Sequence, residues 1–535
     1  MLKIIHTELL FGHCKLYTHI LYSSQKENQH VDINMERSMD MSLTVSTQYG
    51  KVNGFESNGL NKWFGIPFAK PPVGELRFRR AQEPDPWEGT LECSKMSDSP
   101  LSFGAGQMGM MARTDTPKSE DCLYLNIWAP KQTSKSPVFV WIYGGANHMG
   151  ESAIPDYDLS SFAKSGIIGV SFNYRLGPLG FYNFHELDPS FDSNCAVSDM
   201  IAALKWVHEN IEAFGGDPEN VTICGESAGG TAVYSLLAAP SAAGYYQKAI
   251  PMSGLAGNVT TQLTHDINNK LFFDAIGLKE SEVAKLRELP YETLLKGAAV
   301  VINESNKYNQ GIFITGPVID DLVPDYPWEM IAKGSAKDVK CLIGTCKNEG
   351  GLFYMMKLIP RNWNDIASCV EKNNMPELTE TFKKVYAGMN EKQAAQAWAT
   401  DRMFWVDAMR CALAQSRYNT VYSYRFDFIP FMGKLLGIGP THSMDILPGL
   451  NNHEGSQALL YKFSGKKRVE DIHNKLHSAF VAFAKTGDPN NRYLPEWSPF
   501  EETKRTTMLM DDRSVAIENA NIERYKAWES VLLYK

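Results

Sequence analysis

Residues 214–230 read FGGDPENVTICGESAGG, in which a short apolar, strand-forming run leads into a G-x-S-x-G pattern at residues 225–229. Small, helix-tolerant residues follow the pattern. This is the context of a nucleophile elbow, where a serine sits on a strained turn and the flanking glycines let neighbouring backbone pack closely. The stretch therefore predicts that Ser227 is exposed at a helix N-terminus, poised to attack a carbonyl carbon. A bare G-x-S-x-G recurs by chance, so the flanking residues carry much of the argument.

Strand-like and helical patterns alternate on both sides of this stretch. Residues 198–214 show an apolar stripe at helical spacing, with Ser198 as the N-cap and two glycines as the stop. Near-continuous apolar strands predict a sheet that is covered on both faces, and the alternation predicts an α/β fold. Six apolar runs bounded by turn residues are the predicted strands: 138–143, 167–172, 221–224, 248–252, 341–344 and 421–426.

Composition excludes several classes of protein. The chain has 535 residues, 44% of them hydrophobic, and a net charge of −8, which disfavours nucleic acid as a partner. No segment reaches the roughly 20 apolar residues of a membrane span.

Nine scattered cysteines do not form a disulfide scaffold. Cys341 and Cys346 fit a buried strand end better than a metal site, and His473 and His477 fit surface positions on one helix face better than metal ligands.

The N-terminal region, residues 1–40, is predicted to lie outside the fold. Charged residues and histidines interrupt its apolar residues, so it has no apolar core of signal-peptide length. Two interpretations stay open: a flexible tail, or upstream sequence with the true start at Met35, Met39 or Met41. Residues 41–535 are predicted to form a single catalytic domain.

A serine nucleophile requires a base, and the base requires an acid that holds its tautomer. In an elbow of this type the chain order is serine, acid, histidine. Glu349 and His442 follow apolar runs downstream of Ser227 and are the candidates. Spacing alone does not select them, because acids are numerous and His265, His453, His473 and His477 also lie downstream.

Acyl transfer also requires donors for the oxyanion. Gly144-Gly145-Ala146 follows the predicted strand 138–143, and small residues there let backbone N–H groups approach a tetrahedral oxygen. The candidate donors are the amides of Gly145, Ala146 and Ala228. A Gly-Gly pair after a strand is by itself better explained by a tight turn; upstream of an elbow, the oxyanion interpretation is favoured.

Several long motifs in order resemble the type-B carboxylesterase and cholinesterase family of α/β-hydrolases. The resemblance runs from about Thr47 to about Asp511, and it implies a large, mostly parallel central sheet flanked by helices, with cap-like loop and helical insertions. Besides the serine motif, the matching segments are GKVNG (50–54), FGIPFAKPPVGELRF (64–78), SEDCLYLNI (119–127), NYRLGPLGF (173–181), FAKTGDP (483–489) and WSPF (497–500).

The resemblance implies Ser227 as the nucleophile, Glu349 as the acid and His442 as the base. Asp445 takes the place of an acid that the family carries three residues after the histidine. Glu226 matches a second carboxylate of cholinesterase-like members, either as electrostatic support for cationic intermediates or as a structural acid. Three further positions match residues with structural roles: Asn126, Arg175 and Asp199.

Departures from the family pattern are informative. Ala146 replaces a third glycine but keeps its N–H, and Asn147 with His148 makes that wall of the site more polar. Cys122 matches a cysteine that is bridged in secreted members, but Cys93 is displaced from the usual partner position. No bridge is therefore expected, and the pattern resembles bacterial members and predicts a cytoplasmic, reducing location.

The sequence thus predicts a serine carboxylesterase that hydrolyses small-molecule esters through an acyl-enzyme, without cofactor, metal, nucleic acid or membrane partner; the oligomeric state is open. The alternatives are an enzyme of the same mechanism that prefers amides, thioesters or lactones, and a non-catalytic cholinesterase-like binding or adhesion protein. Activity is expected to fall at acid pH with one ionisation near about 6.5, moved by the surroundings of His442. The pocket walls are predicted around residues 103–111, 303–313 and 398–405, with Met108, Met110 and Met111 as an apolar lip or a stray apolar loop.

Overall fold

An eleven-stranded sheet organises the part of the chain that the computed structural model describes, residues 43–103, 116–308, 315–455 and 457–531. Two small sheets accompany it. In chain order the strands are β1 (Thr44–Ser46), β2 (Lys51–Asn53), β3 (Phe55–Ser57), β4 (Leu60–Pro67), β5 (Thr90–Glu92), β6 (Ser99–Pro100), β7 (Lys118–Ser119), β8 (Tyr124–Pro130), β9 (Ser136–Ile142), β10 (Ile168–Phe172), β11 (Gly216–Glu226), β12 (Lys248–Met252), β13 (Lys340–Cys346), β14 (Val421–Phe426), β15 (Thr507–Met510) and β16 (Val515–Ile517).

The centre of the large sheet is parallel, as the sequence predicted. Its order is β16-β15-β14-β13-β12-β11-β9-β10-β8-β4-β3. The seven strands from β15 to β10 run parallel, and the edges are antiparallel. Successive residues of β9 alternate between two hydrophobic clusters, with Val138 and Val140 in one and Phe139 and Trp141 in the other. Both faces of the sheet are therefore covered, which explains why these strands are apolar throughout.

Helices fill the connections between parallel strands. Five short 3-10 segments and one π-helix, Asp401–Trp405, also lie within the described residues. The α-helices are α1 (Ser160–Lys164), α2 (Gly177–Phe181), α3 (Cys195–Asn210), α4 (Ala228–Ala238), α5 (Gln262–Ile276), α6 (Tyr291–Tyr308), α7 (Pro327–Ala332), α8 (Gly350–Met355), α9 (Trp363–Lys372), α10 (Leu378–Val385), α11 (Glu391–Thr400), α12 (Val406–Gln415), α13 (Phe431–Leu435), α14 (Ile446–Leu450), α15 (Ala458–Tyr461), α16 (Lys466–Thr486) and α17 (Ile522–Trp528).

The predicted cap of the helix before the elbow is wrong. Helix α3 begins at Cys195, three residues before the predicted cap, and Asn194 takes the cap position in the left-handed conformation. The Ser198 hydroxyl instead accepts a hydrogen bond from the Ala81 amide at 2.9 Å. The predicted end is confirmed, because Gly215 adopts a φ of 85° directly after the 3-10 turn that extends the helix.

The prediction that His473 and His477 are surface residues is also wrong. Both lie on α16 but are buried, because α14 packs over this helix. The Nδ1 atom of His477 lies 2.9 Å from the Gly449 carbonyl oxygen, and burial lowers the pKa of His477 to about 4. Local spacing identified one helix face correctly but could not show that a distant segment covers it.

The cysteines in the described residues are buried thiols. Cys341 and Cys346 lie on β13, as predicted for a strand end. Cys93 and Cys122 are both unbridged. Across the described ranges, no helix combines the length and apolar character that crossing a bilayer requires.

Candidate active site

The predicted nucleophile lies at the turn between β11 and α4. Ser227 has φ 59° and ψ −122°, a strained conformation for a residue with a Cβ, and it is partly exposed. Its amide donates to the Met252 carbonyl at 3.0 Å, which fixes the turn to the end of β12. Helix α4 begins at Ala228, so the serine stands at the carboxyl end of the sheet and at a helix N-terminus.

Two glycines explain how this turn fits. A Cβ on Gly225 would collide with the Gly229 carbonyl oxygen, and a Cβ on Gly229 would collide with the Ile142 carbonyl oxygen at the end of β9. Helix α4 therefore starts pressed against the neighbouring strand. Only glycine permits that approach, as the sequence pattern predicted.

A continuous hydrogen-bonded chain joins the serine, histidine and acid. The Nε2 atom of His442 lies 2.8 Å from Ser227 Oγ, and its Nδ1 atom lies 2.7 Å from Glu349 Oε2. The other carboxylate oxygen of Glu349 accepts from the Cys346 amide at 2.6 Å. Because a carboxylate faces Nδ1, Nδ1 carries the proton of the neutral imidazole, and in that form Nε2 is free to accept the serine proton.

The loops that carry the acid and the histidine are tied together. The Asn348 amide donates to the Pro440 carbonyl at 3.0 Å. The Thr441 hydroxyl donates to the Glu349 carbonyl at 3.3 Å and accepts from the Leu352 amide at 2.7 Å. These contacts hold two segments from distant parts of the chain in one register, and the sequence analysis did not single out Thr441.

Glu226 adds a second carboxylate to the imidazole. Its Oε1 lies 3.3 Å from His442 Nε2 and accepts a hydrogen bond from the Ser443 hydroxyl at 2.6 Å. Burial raises the pKa of Glu226 to about 7. Burial alone would lower the pKa of His442, but Glu226 and Glu349 outweigh that effect and raise the pKa to about 9. The site therefore favours the protonated imidazole.

Asp445 lies behind these groups and is fully buried. Its Oδ2 accepts from the Tyr424 hydroxyl at 2.8 Å, whereas Oδ1 has no hydrogen-bond partner within the described part of the chain. Burial, with a contribution from Glu349, raises the pKa of Asp445 to about 6. The sequence indicated an acid at this position but gave no sign that Tyr424, on β14, is its donor.

Two aromatic rings cover the imidazole and were missed by the sequence analysis. The centroids of Phe353 and Phe404 lie 5.1 Å and 4.7 Å from that of His442. Phe353 follows Glu349 by one helical turn, a spacing that could have identified it. Phe404 lies in the π-helix, which no pattern in the sequence predicts. This segment falls within the predicted pocket wall at 398–405.

The predicted oxyanion loop lies against the elbow. A Cβ on Gly144 would come within 2.9 Å of the Ser227 Cβ. Gly145, Ala146 and Asn147 all have positive φ, at 128°, 54° and 62°, so the backbone turns back on itself here. Among the described backbone hydrogen bonds, the loop uses the carbonyls of Gly145 and Asn147, and the amides of Gly145 and Ala146 have no acceptor. Ala228, as the first residue of α4, likewise presents an amide without a helical partner.

Asn147 and His148, which were predicted to make the wall beside this loop more polar, are both buried. The Asn147 side chain donates to the Thr315 carbonyl at 2.8 Å. His148 is 5% exposed, and burial lowers its pKa to about 3, so its ring is neutral. Most of the predicted walls at 103–111 and 303–313, including Met108, Met110 and Met111, lies outside the described residues.

The fold and this geometry are those of a hydrolase with an activated serine, and comparison with known proteins identifies its family. The model of the carboxylesterase family matches residues 41–528, so the chain belongs to the carboxylesterase family. Among its relatives is the para-nitrobenzyl esterase of Bacillus subtilis (strain 168), 37% identical over 89% of this chain and 96% of that protein. A solved structure of a PNB esterase superposes with a TM-score of 0.82 at 34% identity, covering 90% of this chain and 99% of that one. The cocaine esterase of Homo sapiens is 31% identical over 89% of this chain and 88% of its own length.

These likenesses confirm the predicted fold and class. The chain has the α/β-hydrolase fold, and it is a carboxylic ester hydrolase that acts on small-molecule esters. The alternative of a non-catalytic binding or adhesion protein is thereby set aside, because the named relatives are enzymes.

Proposed function

We propose that the protein hydrolyses esters through an acyl-enzyme, with Ser227 as nucleophile, His442 as general base and Glu349 as the acid of a catalytic triad. The observation that carries the proposal is the hydrogen-bonded chain from Ser227 Oγ through His442 to Glu349, at 2.8 Å and 2.7 Å. The strained backbone of Ser227 supports the proposal independently. Backbone strain persists only where the surrounding structure imposes it, and it clusters at functional sites.

The reaction follows from these positions. His442 Nε2 takes the hydroxyl proton while Ser227 Oγ attacks the ester carbonyl, and the resulting imidazolium is stabilised by Glu349 and by Glu226 at 3.3 Å. The imidazolium then protonates the leaving alcohol. Water, deprotonated by the same nitrogen, hydrolyses the acyl-enzyme. In this scheme Glu226 has the electrostatic role, and its hydrogen bond from Ser443 orients the carboxylate.

The amides of Gly145, Ala146 and Ala228 form the proposed oxyanion hole. Two observations support this assignment: the backbone turns back on itself at 145–147, and the loop closely approaches the serine. Loss of one such donor typically costs about 10²–10³ in turnover. The alanine at position 146 fits this role because the donor is the main-chain N–H and not the side chain.

The first test compares wild type with Ser227→Ala on p-nitrophenyl esters from acetate to dodecanoate. We expect turnover only with the serine, because the serine oxygen forms the bond to the acyl group. Circular dichroism and thermal unfolding of both proteins control for folding. A Ser227→Ala protein with wild-type turnover would overturn the assignment of the nucleophile.

The same assay extends to the remaining alternative, an enzyme that prefers amides, thioesters or lactones. We propose esters as the preferred class, since the relatives are named para-nitrobenzyl esterase and cocaine esterase. Matched acyl groups on oxygen, sulfur and nitrogen leaving groups compare the classes directly. A higher kcat/KM for the thioester, amide or lactone would replace the ester assignment.

We further propose a cytoplasmic, reducing location. The support is that Cys93 and Cys122, the residues nearest to the family's bridged positions, are both buried thiols. The protein is denatured without prior reduction, alkylated, and analysed by mass spectrometry. We expect both cysteines to be alkylated. Recovery of a peptide that joins Cys93 to Cys122 would contradict the proposal.

A further inference from the structure

A cavity of about 400 Å³ lies outside the catalytic site, between α14, α15 and the first turns of α16. Its volume falls in the range of about 300–1,000 Å³ that is typical of small-molecule sites. Helix α14 begins four residues after His442, so the cavity lies next in sequence to the catalytic loop. The proposed mechanism uses none of the residues that line it.

The inner wall is apolar and aromatic. Leu447, Tyr461 and Val469 contribute apolar surface. His473 is 2% exposed, its Nδ1 has no hydrogen-bond partner among the described residues, and its ring stacks on that of His453 with 4.2 Å between centroids and 15° between planes. Burial lowers the pKa of His473 to about 3, so this ring is neutral.

The rim is cationic. Lys462 and Lys466 line the cavity, and the Lys466 side chain is 90% exposed. Glu470 is the acid on this rim, and it lies 3.8 Å from the Lys466 ammonium in a solvent-exposed pair that contributes little energy. The N-terminus of the 21-residue helix α16 adds partial positive charge at the same place.

A hydrogen bond connects the cavity to the catalytic loop. The Tyr461 hydroxyl donates to the main-chain carbonyl of Met444. Met444 lies between Ser443, which bonds to Glu226, and the buried Asp445. A ligand that packs on the Tyr461 ring therefore contacts a residue that holds the catalytic loop.

We propose that this cavity binds a small amphipathic carboxylate, with its apolar body against Leu447, Tyr461 and Val469 and its carboxylate at the rim between Lys462 and Lys466. An apolar interior with cationic groups at one end fits a compound of that polarity. The choice of a carboxylate over other organic anions rests on the proposed function, because ester hydrolysis releases a carboxylic acid.

Isothermal titration of the full-length protein with octanoate tests the site. Octanol serves as the uncharged comparison. The charge variant is Lys462→Glu with Lys466→Glu, and its control is Lys467→Glu, which changes the same helical turn without altering the cavity lining. Val469→Trp fills the interior as a second, independent variant.

We expect octanoate to bind wild type and Lys467→Glu equally and the charge variant about tenfold more weakly, a difference that calorimetry resolves. Octanol should bind more weakly than octanoate, and Val469→Trp should abolish binding. Equal octanoate affinity in wild type and the charge variant would overturn the proposal, as would equal affinity for octanol or no binding to wild type. Because the readout is binding, failure of the proposed catalytic function would leave these results interpretable.

Discussion

At the scale of single residues, the site is dominated by one imidazole among three carboxylates. Glu349 contacts Nδ1, Glu226 lies near Nε2, and Asp445 is buried behind them. A single acid is sufficient to orient the histidine. The additional acids therefore act mainly on the energy of the imidazolium, and the cost is a base that stays protonated up to a higher pH.

That cost predicts the pH dependence of the enzyme. The base must be neutral to act, so kcat/KM should fall as the pH drops through the pKa of His442 in the free enzyme. Since the carboxylates raise that pKa to about 9, the acid limb should lie above the ordinary value of about 6.5. The sequence alone predicts an ionisation near about 6.5, moved by the surroundings of His442, and the structure gives the direction of the shift.

Glu226→Gln isolates the contribution of the second carboxylate. We expect the acid limb of kcat/KM to move toward lower pH, because the variant removes the charge that raises the pKa of His442 most. Asp445→Asn is the matched control and should shift the limb less, since its charge contributes least among the three acids. Rate profiles from pH 5 to 10 on a substrate with a non-ionising leaving group measure both shifts. An unchanged limb in Glu226→Gln would assign Glu226 a structural role only.

At the scale of elements, the elbow depends on how closely α4 approaches β9. Gly229 is the second residue of α4, where alanine would ordinarily favour the helix. A Cβ there would nevertheless collide with the Ile142 carbonyl oxygen. The requirement for glycine at this position is therefore a packing requirement and not a conformational one.

Gly229→Ala should consequently lower both stability and turnover. Overpacking of this kind costs about 1–3 kcal/mol of unfolding free energy, and the shift of α4 would also displace the proposed donor at Ala228. Gly244→Ala is the comparison: the new methyl group would meet open space, and its cost comes only from a φ of 91°. Urea unfolding and p-nitrophenyl acetate turnover measure the two effects. A Gly229→Ala protein with wild-type turnover would show that α4 can move without consequence.

The sequence predicted those elements whose signals are local. Runs such as 138–143 and 421–426 form strands within two residues of the predicted ends, because an apolar run between turn residues specifies a buried parallel strand. The serine, the acid and the oxyanion loop all follow strands, as predicted. The π-helix at 401–405, the burial of His473 and the hydrogen bond from Tyr424 to Asp445 depend on segments that meet only in three dimensions, and no local pattern encodes them.

At the scale of the whole molecule, residues from Leu43 onward form one compact unit. The family model begins at residue 41, two residues earlier. We therefore propose that residues 41–535 are the single catalytic domain that the sequence analysis predicted and that residues 1–40 contribute nothing to it.

Deletion of residues 1–40 tests this domain assignment. We expect the truncated protein to match the full-length chain in kcat/KM and in thermal unfolding midpoint, because every residue placed in the catalytic machinery lies beyond residue 140. Ester hydrolysis and scanning calorimetry of both proteins provide the comparison. A truncated protein that loses activity or melts several degrees lower would extend the domain toward the N-terminus.

The residues of the catalytic site lie far apart in the sequence, and this has a consequence for the synthesis and folding of the protein. Ser227 and His442 are 215 positions apart. Helix α12 is in turn tied to a later segment, because the Arg410 guanidinium donates to the carbonyls of Trp528 and Val531. Contacts between such distant positions form late in folding, since loop closure costs entropy before any contact offsets it. A nascent chain that carries the serine thus has no base until its final fifth is being made. Hydrolysis would report that these distant segments have come together, which makes regained turnover a sensitive marker of correct refolding.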